Sequence, residues 1–198
     1  MSGKRSMVDN TDPRAVRTRE RLVAAFREAV RTQDPATMTV ASLTRAAGVN
    51  RTSFYTHFES PEDLAVHALG ELFDVVANSD IVLRADRSVS PAEASRRALT
   101  DVVRFVHERR ASYVNLLGPG AAPGVKQAIA AAYVDRAVRA LSRHPNRPAD
   151  ADPVVTAHFL AGGVLGVLGT WLATPEPQHS LDDLVGALVQ CLPAWINT

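Results

Sequence analysis

Apolar residues recur at three- and four-residue intervals along most of the chain, and capping or breaking residues cut that recurrence into helices. The first helix runs from Pro13 to about Arg31 with Leu22, Phe26, Ala29 and Val30 inward, after an Asp12-Pro13 entry. Val40, Leu43 and Ala47 share one face behind Thr39, whose hydroxyl can cap a helix N-terminus. Gly48 ends that helix, because the residue past a helix C-terminus usually turns left-handed and glycine does so without a Cβ penalty. Asn50 can cap the next helix, around which Val49, Phe54 and Phe58 turn to the core. The linker is a turn of three or four residues, the geometry of a helix-turn-helix over about residues 39–58.

A fourth helix opens at Ser60-Pro61 and carries Leu64, Ala68, Leu72 and Val75 on one face. Asn78 to Ser88 reads as a loop or helix end. Ser90-Pro91-Ala92-Glu93 is a capping box, opening a helix to about Arg110 with Leu99, Val102, Phe105 and Val106 inside. Leu117 to Gly124 holds three glycines and two prolines and must be a loop. The next helix spans about Val125 to Arg143 with Ile129, Tyr133, Ala137 and Leu141 aligned, and His144 to Pro148 ends it. The last two helices start at Asp152-Pro153 and at Ser180-Leu181-Asp182-Asp183, separated by Pro175-Glu176-Pro177. No segment alternates with period two for long enough to make a strand, so the fold class is all-α with about nine helices.

Val154 to Ala173 is apolar enough for a membrane helix, with Gly162 and Gly166 four apart as in small-xxx-small packing faces. His158 interrupts it, Asp150 and Asp152 flank one end, and no Lys/Arg cluster marks a cytoplasmic side. An interior helix packed on its own domain and on a partner subunit fits better, so no membrane is expected as a partner.

With 198 residues and 46% apolar content, the chain has room for a small unit and a larger cored helical one. The net charge of +1 is unevenly placed: residues 1–60 hold ten Lys/Arg against six Asp/Glu, and 61–198 hold twelve against fifteen. Lys4, Arg5, Arg14, Arg17, Arg19 and Arg21 crowd the basic end, which points to phosphate binding there. Met1 to Asn10 is expected to be disordered without DNA and to add salt-sensitive contacts with it. Cys191 is the only cysteine, so no intrachain disulfide forms, and its apolar neighbours Leu188, Val189 and Leu192 make it read as core. A reducing cytoplasm is the expected location, and the N-terminus lacks the apolar stretch of a signal peptide. An enzyme would have to use His57, His67, His107, His144, His158 or His179, which are scattered, with no HExxH, CxxC or Gly-x-Ser-x-Gly pattern; no metal or cofactor is expected.

The polar face of the second helix of the helix-turn-helix is equipped for DNA. Arg51 can donate a bidentate pair to a guanine edge, Thr52 or Thr56 can meet a thymine methyl or a phosphate, and Tyr55 and His57 can bond phosphates or bases. The order Met38-Thr39-Val40, Ala46-Ala47-Gly48-Val49, Phe54-Tyr55-Thr56-His57-Phe58 and Glu62-Asp63-Leu64 resembles the TetR family of bacterial transcription regulators over roughly residues 14 to 70. One departure stands out: Glu59-Ser60-Pro61-Glu62 occupies the segment where many members carry phosphate-contacting lysines.

The resemblance implies a basic arm over 1–12, a DNA-binding domain over 13–60, and an effector-binding and dimerisation domain over 61–198. It implies DNA contacts from Arg17, Thr39, Asn50, Arg51, Thr52, Ser53, Tyr55, Thr56 and His57. The last two long helices would pair with their copies across a two-fold axis, with Phe159, Gly162, Gly163, Gly166, Gly169, Leu184 and Leu188 at the interface. Phe105, His107, Tyr113, Tyr133, His158 and Trp171 are the aromatic and polar residues expected to line a mostly apolar effector cavity. The expected function is a homodimeric regulator, in most such proteins a repressor, released from an inverted-repeat operator by a small hydrophobic ligand. An activator, or a ligand-binding or scaffold protein of the same fold with weakened DNA binding, remains an open alternative.

Overall fold

The computed structural model describes residues 12–33, 37–70, 72, 88–175 and 179–198. The expected arm up to residue 11, Val75, residues 78–87, and Glu176 and Pro177 lie outside the described residues. Among those described, nine α-helices and one 3-10 turn account for the regular structure, with no strand. They are α1 (Pro13–Thr32), α2 (Val40–Ala47), α3 (Arg51–His57), α4 (Pro61–Ala68), α5 (Pro91–Glu108), α6 (Arg110–Leu117), α7 (Pro123–Ser142), α8 (Pro153–Ala173) and α9 (Leu181–Gln190), followed by Ala194–Ile196.

Helix starts follow the caps. The Asp12 carboxylate accepts from Arg14 N at 2.8 Å, Ser90 Oγ from Glu93 N at 3.2 Å, and Asp152 from Val154 N at 2.7 Å. Ser180 and Asp183 cap reciprocally, each accepting from the other's backbone N–H at 3.2 Å. Each of α1, α4, α5, α7 and α8 also has proline in its first turn, where the missing N–H costs nothing.

The helix expected from Ser90 to about Arg110 ends close to that point, at Glu108, but the sequence does not show α6, which follows it. The chain leaves helical geometry at Arg109 (φ −111°, ψ 27°), and α6 begins at Arg110. No glycine or proline marks the site, and tertiary contacts hold it. The Arg109 guanidinium lies 3.9 Å over the Phe105 ring, and Arg110 Nη2 donates to the Thr174 carbonyl at the end of α8, 2.6 Å away. The expected loop from Leu117 to Gly124 is shorter than its composition implies: Leu117 ends α6, and Pro123 and Gly124 already belong to α7.

One core runs from α1 through α9, from Leu22 and Phe26 through Leu64, Val103, Leu116 and Ile129 to Leu172 and Leu184. A second small cluster gathers Leu141, Ala157, Leu160 and Ile196 where the C-terminal turn folds over α7 and α8. The N-terminal unit joins the rest along two seams, α1 on α6 and α4 on α7. Asn115 Nδ2 fastens the first by donating to the Val30 carbonyl at 2.8 Å, in the last turn of α1.

Helix α8 is long and apolar enough to cross a membrane by length and composition alone. One side, with Ala157, Leu160, Ala161, Leu168, Trp171 and Leu172, is buried against its own chain, and it packs on α7 and α6. The opposite side exposes Val155, Phe159 and Val167.

One expectation fails at the C-terminal end. Cys191, read as core, is exposed: α9 ends at Gln190, and the inward face is taken by Leu184, Val185 and Leu188, leaving Cys191 at the outward turn. On α7, Tyr133 and Ala137 are half-buried and pack against the core in line with the buried Ile129 and Leu141, as the spacing implies.

Candidate nucleic-acid interface

Helices α2 and α3 meet at a turn held from several directions. Gly48 is left-handed at φ 61°. It is the only residue with positive φ among those described. Its carbonyl accepts from Arg21 Nη2 of α1 at 3.0 Å, while Val49 N donates to the Thr44 carbonyl at 2.9 Å. The left-handed backbone calls for glycine, while a Cβ there would stand 2.6 Å from the same guanidinium nitrogen, the movable end of the Arg21 side chain. The brace from Arg21 could not be foreseen, since its charge reads equally as a solvated arm residue.

The caps on either side are the expected ones. Thr39 and Ser42 form a reciprocal box, Ser42 N donating to Thr39 Oγ1 at 3.1 Å and Thr39 N to Ser42 Oγ at 2.9 Å. Asn50 Oδ1 accepts from Ser53 N at 2.7 Å. These bonds align α3 on α2, and α1 packs across both. Each such cap stabilises its helix by about 1 kcal/mol, which matters for helices of eight and seven residues that are marginal alone.

Phe54 and Phe58 anchor α3, buried at 0% and 3% exposure, with ring centroids 5.8 Å apart. Their burial turns the other face outward: Arg51, Thr52, Tyr55 and Thr56 are exposed, Tyr55 by 55%, while Ser53 and His57 are half-buried. Thr56 Oγ1 donates to the Thr52 carbonyl at 3.0 Å. Val49 lies in the turn, half-buried, outside α3. Arg17 is exposed on α1, and Thr39 and Asn50 are exposed at the N-termini of α2 and α3.

The acidic turn before α4 has a structural use. Ser60 Oγ accepts from Asp63 N at 3.2 Å and Asp63 Oδ2 accepts from Glu59 N at 3.0 Å. Glu62 turns to α7: its Oε1 lies 3.4 Å from where a Cβ of Gly124 would stand, in the first turn of that helix. Ala122, the N-cap of α7, offers no side-chain acceptor, so a carboxylate there complements the helix dipole. At the other end of α4, Arg27 Nη2 donates to the Ala68 carbonyl at 3.0 Å.

Two imidazoles flank this unit. Burial and then the Arg19 guanidinium hold His57 below the usual histidine range. His67 is lowered by burial and by Arg19, with Asp63 pulling it up and Arg27 down. The His67 ring packs on Phe58 at 5.5 Å and the His57 ring lies 6.4 Å from the same Phe58.

The residues expected at a dimer interface separate into two groups. Phe159, 69% exposed, and Gly162, Gly163 and Gly166 lie on the outward side of α8, joined by Val155 and Val167, which were not singled out. Gly169, Leu184 and Leu188, also expected at the interface, point the other way, into their own chain. A methyl on Gly169 would collide with the Leu117 carbonyl oxygen, so this glycine admits the end of α6. Leu184 and Leu188 are buried in their own core.

The expected effector residues also divide. Tyr113 and Trp171 are buried, Phe105 and Tyr133 half-buried, and His107 and His158 exposed. Phe105 meets Tyr113 edge-on at 6.0 Å, whereas His107 packs on Trp171 at 5.2 Å. His158 projects to the surface beside Phe159 and cannot line an interior space in this arrangement.

No family model matches the chain, and no curated protein matches it. Solved structures do. A TetR transcriptional regulator from Streptococcus agalactiae 2603V is 20% identical, covers 90% of this chain and 95% of its own, and superimposes with a TM-score of 0.60. NalD, the secondary repressor of the MexAB-OprM multidrug efflux pump in Pseudomonas aeruginosa, is 16% identical over 89% of this chain and 94% of its own, with a TM-score of 0.58. The transcriptional regulator FadR from Bacillus subtilis, solved in complex with stearoyl-CoA, is 13% identical over 86% of this chain and 95% of its own, with a TM-score of 0.57.

Proposed function

We infer a function from the fold that this chain shares with TetR-family transcriptional regulators. On that premise we propose that it is a homodimeric, sequence-specific DNA-binding regulator, a repressor released from an inverted-repeat operator by a small hydrophobic ligand. The observation that carries the reading is the exposed polar face of α3, held on a turn that Arg21, Gly48 and two helix caps fix in place. A helix kept this rigid and this polar is suited to entering a major groove as one body.

Arg51 and Tyr55 read base edges, Thr52, Ser53, Thr56 and His57 contact bases or phosphates, and Arg17, Thr39 and Asn50 set the register on the backbone. The apolar outer side of α8, centred on Phe159 and opened by Gly162, Gly163 and Gly166, packs against its copy in a second chain. That contact places two α3 helices in successive major grooves, roughly 34–36 Å apart or somewhat more. The effector binds among Phe105, Tyr113, Tyr133 and Trp171 and favours a dimer geometry that no longer matches the groove spacing. Such a protein works in the cytoplasm, where its operator lies.

Selection of bound fragments from random duplex DNA by the purified protein, followed by sequencing, tests the reading. Enrichment of an inverted repeat is expected. A well-folded protein that enriches nothing would refute it.

A further inference from the structure

Helix α6 is eight residues long and is fastened to α8 at both of its ends. At its start, Arg110 Nη2 donates to the carbonyl of Thr174, the C-cap of α8, at 2.6 Å. At its end, the Leu117 carbonyl lies against Gly169 of α8, where a Cβ would collide with it. Between these ties Tyr113 and Leu116 are buried in the shared core. A helix of about 12 Å held at two points by its neighbour has little freedom to tilt or slide on it, so α6 and α8 behave as one body. Asn115 joins that body to the DNA-binding unit. Its Nδ2 donates to the Val30 carbonyl in the last turn of α1 at 2.8 Å, and also to the Ala111 carbonyl, one turn back in α6, at 3.3 Å, which orients the amide. In turn α1 is bonded to the rest of its unit, through Arg21 to the Gly48 carbonyl before α3 and through Arg27 to the Ala68 carbonyl at the end of α4. A continuous series of contacts thus runs from α8, whose outward side carries Phe159 and its glycines, through α6 and Asn115 to α1 and α3.

We propose that Asn115 is a positioning residue that sets the separation of the two α3 helices in the dimer, and with it the half-site spacing of the operator that the protein accepts. The proposal rests on the DNA-binding reading above and adds what determines one part of its specificity. The apolar part of the seam between α1 and α6 is non-directional. A hydrogen bond to a carbonyl weakens steeply away from its preferred geometry, so the Asn115 amide selects one orientation of α1 on α6. That orientation matters at the DNA. One base pair added between half-sites moves them about 3.4 Å further apart along the duplex and turns them by about 35° about its axis. A dimer whose DNA-binding units are held at one angle matches one spacing, whereas units free to turn match several with less loss. Asn115 lies on α6, away from the polar face of α3, so it acts on spacing and leaves the choice of bases within each half-site to α3.

The test measures the affinity of the full chain for its selected inverted repeat and for the same repeat with its spacer lengthened or shortened by one base pair. Asn115→Asp keeps the shape of the side chain and removes its donors, and Asn115→Leu replaces the amide by an apolar group suited to the seam. The native protein is expected to bind the altered spacings roughly tenfold more weakly than the selected one. In both variants that ratio should shrink by roughly fivefold, the share that one neutral hydrogen bond commonly carries. Affinity for a duplex with a single half-site should hold, and so should the mass of the dimer. A role in stability alone would lower all affinities together and leave the ratio where it is. Indifference of the native protein to spacing, or an unaltered ratio in the folded, dimeric variants, would overturn the proposal while leaving the DNA-binding reading intact. Loss of the folded dimer in both variants would overturn it too, because the bond would then hold the fold rather than the spacing. A native protein that selects no inverted repeat would overturn both.

Discussion

The exposed faces of α3 and α8 carry opposite chemistry at comparable exposure. On α3, Arg51, Thr52, Tyr55 and Thr56 face outward over a helix anchored by two phenylalanines. On α8, Val155, Phe159 and Val167 face outward with glycines between them. Water is a good solvent for the first face and a poor one for the second, so the first needs no partner to be stable and the second gains by covering. Exposure alone therefore does not mark a site; the chemistry of what is exposed separates a surface that reads a polar partner from one that excludes water.

The largest effect should come from the glycines of α8, which look alike in sequence. Gly169→Leu drives a side chain into the Leu117 carbonyl and should destabilise the fold by about 3 kcal/mol or more, read by chemical denaturation. Gly162→Leu meets open space within the chain, so monomer stability should hold while the dimer weakens. Equal loss of fold stability in the two variants would erase the distinction between an inward and an outward side.

Phe159→Asp should come next. As a central apolar anchor, its replacement should cost the dimer roughly 2–4 kcal/mol, seen as monomer by analytical ultracentrifugation, with helix content retained. An unchanged dimer would move the interface elsewhere.

On the polar face, Arg51→Ala should cost roughly 1–3 kcal/mol of operator affinity and relax specificity at one position. Arg17→Ala should weaken binding to all sequences and reduce the salt slope by about one phosphate contact. Equal effects of both variants on operator and random DNA would undo the division between reading and positioning. The smallest effect should be that of Gly48→Ala, which strains a left-handed turn beside Arg21 and should cost about 1–2 kcal/mol of stability.

Local signals carried the N-terminal unit. Thr39, Gly48, Asn50 and Ser60 are capping or turn residues whose role depends on neighbours two or three places away, and each sits where its chemistry indicates. The same holds for the start of α5 at Ser90-Pro91. Features that depend on distant residues were not legible. The start of α6 at Arg110 is held by Thr174, the role of Gly169 needs the end of α6, and the fastening of α1 needs Asn115, 85 positions away. The glycines of α8 could be recognised as a packing device, but their division between an inward and an outward side required the helix's rotation about its axis. Val155 stands four residues before Phe159 and Val167 eight after it, a spacing visible in the sequence once that rotation is known.

The most direct test of the central claim is a hydroxyl-radical footprint of the protein on its selected duplex, combined with the mass of the complex. Two chains per duplex, protecting two patches about one helical turn apart on one side of the DNA, are the predicted result. A single chain on the duplex, or protection that does not follow sequence, would contradict a dimeric regulator that reads an inverted repeat through α3.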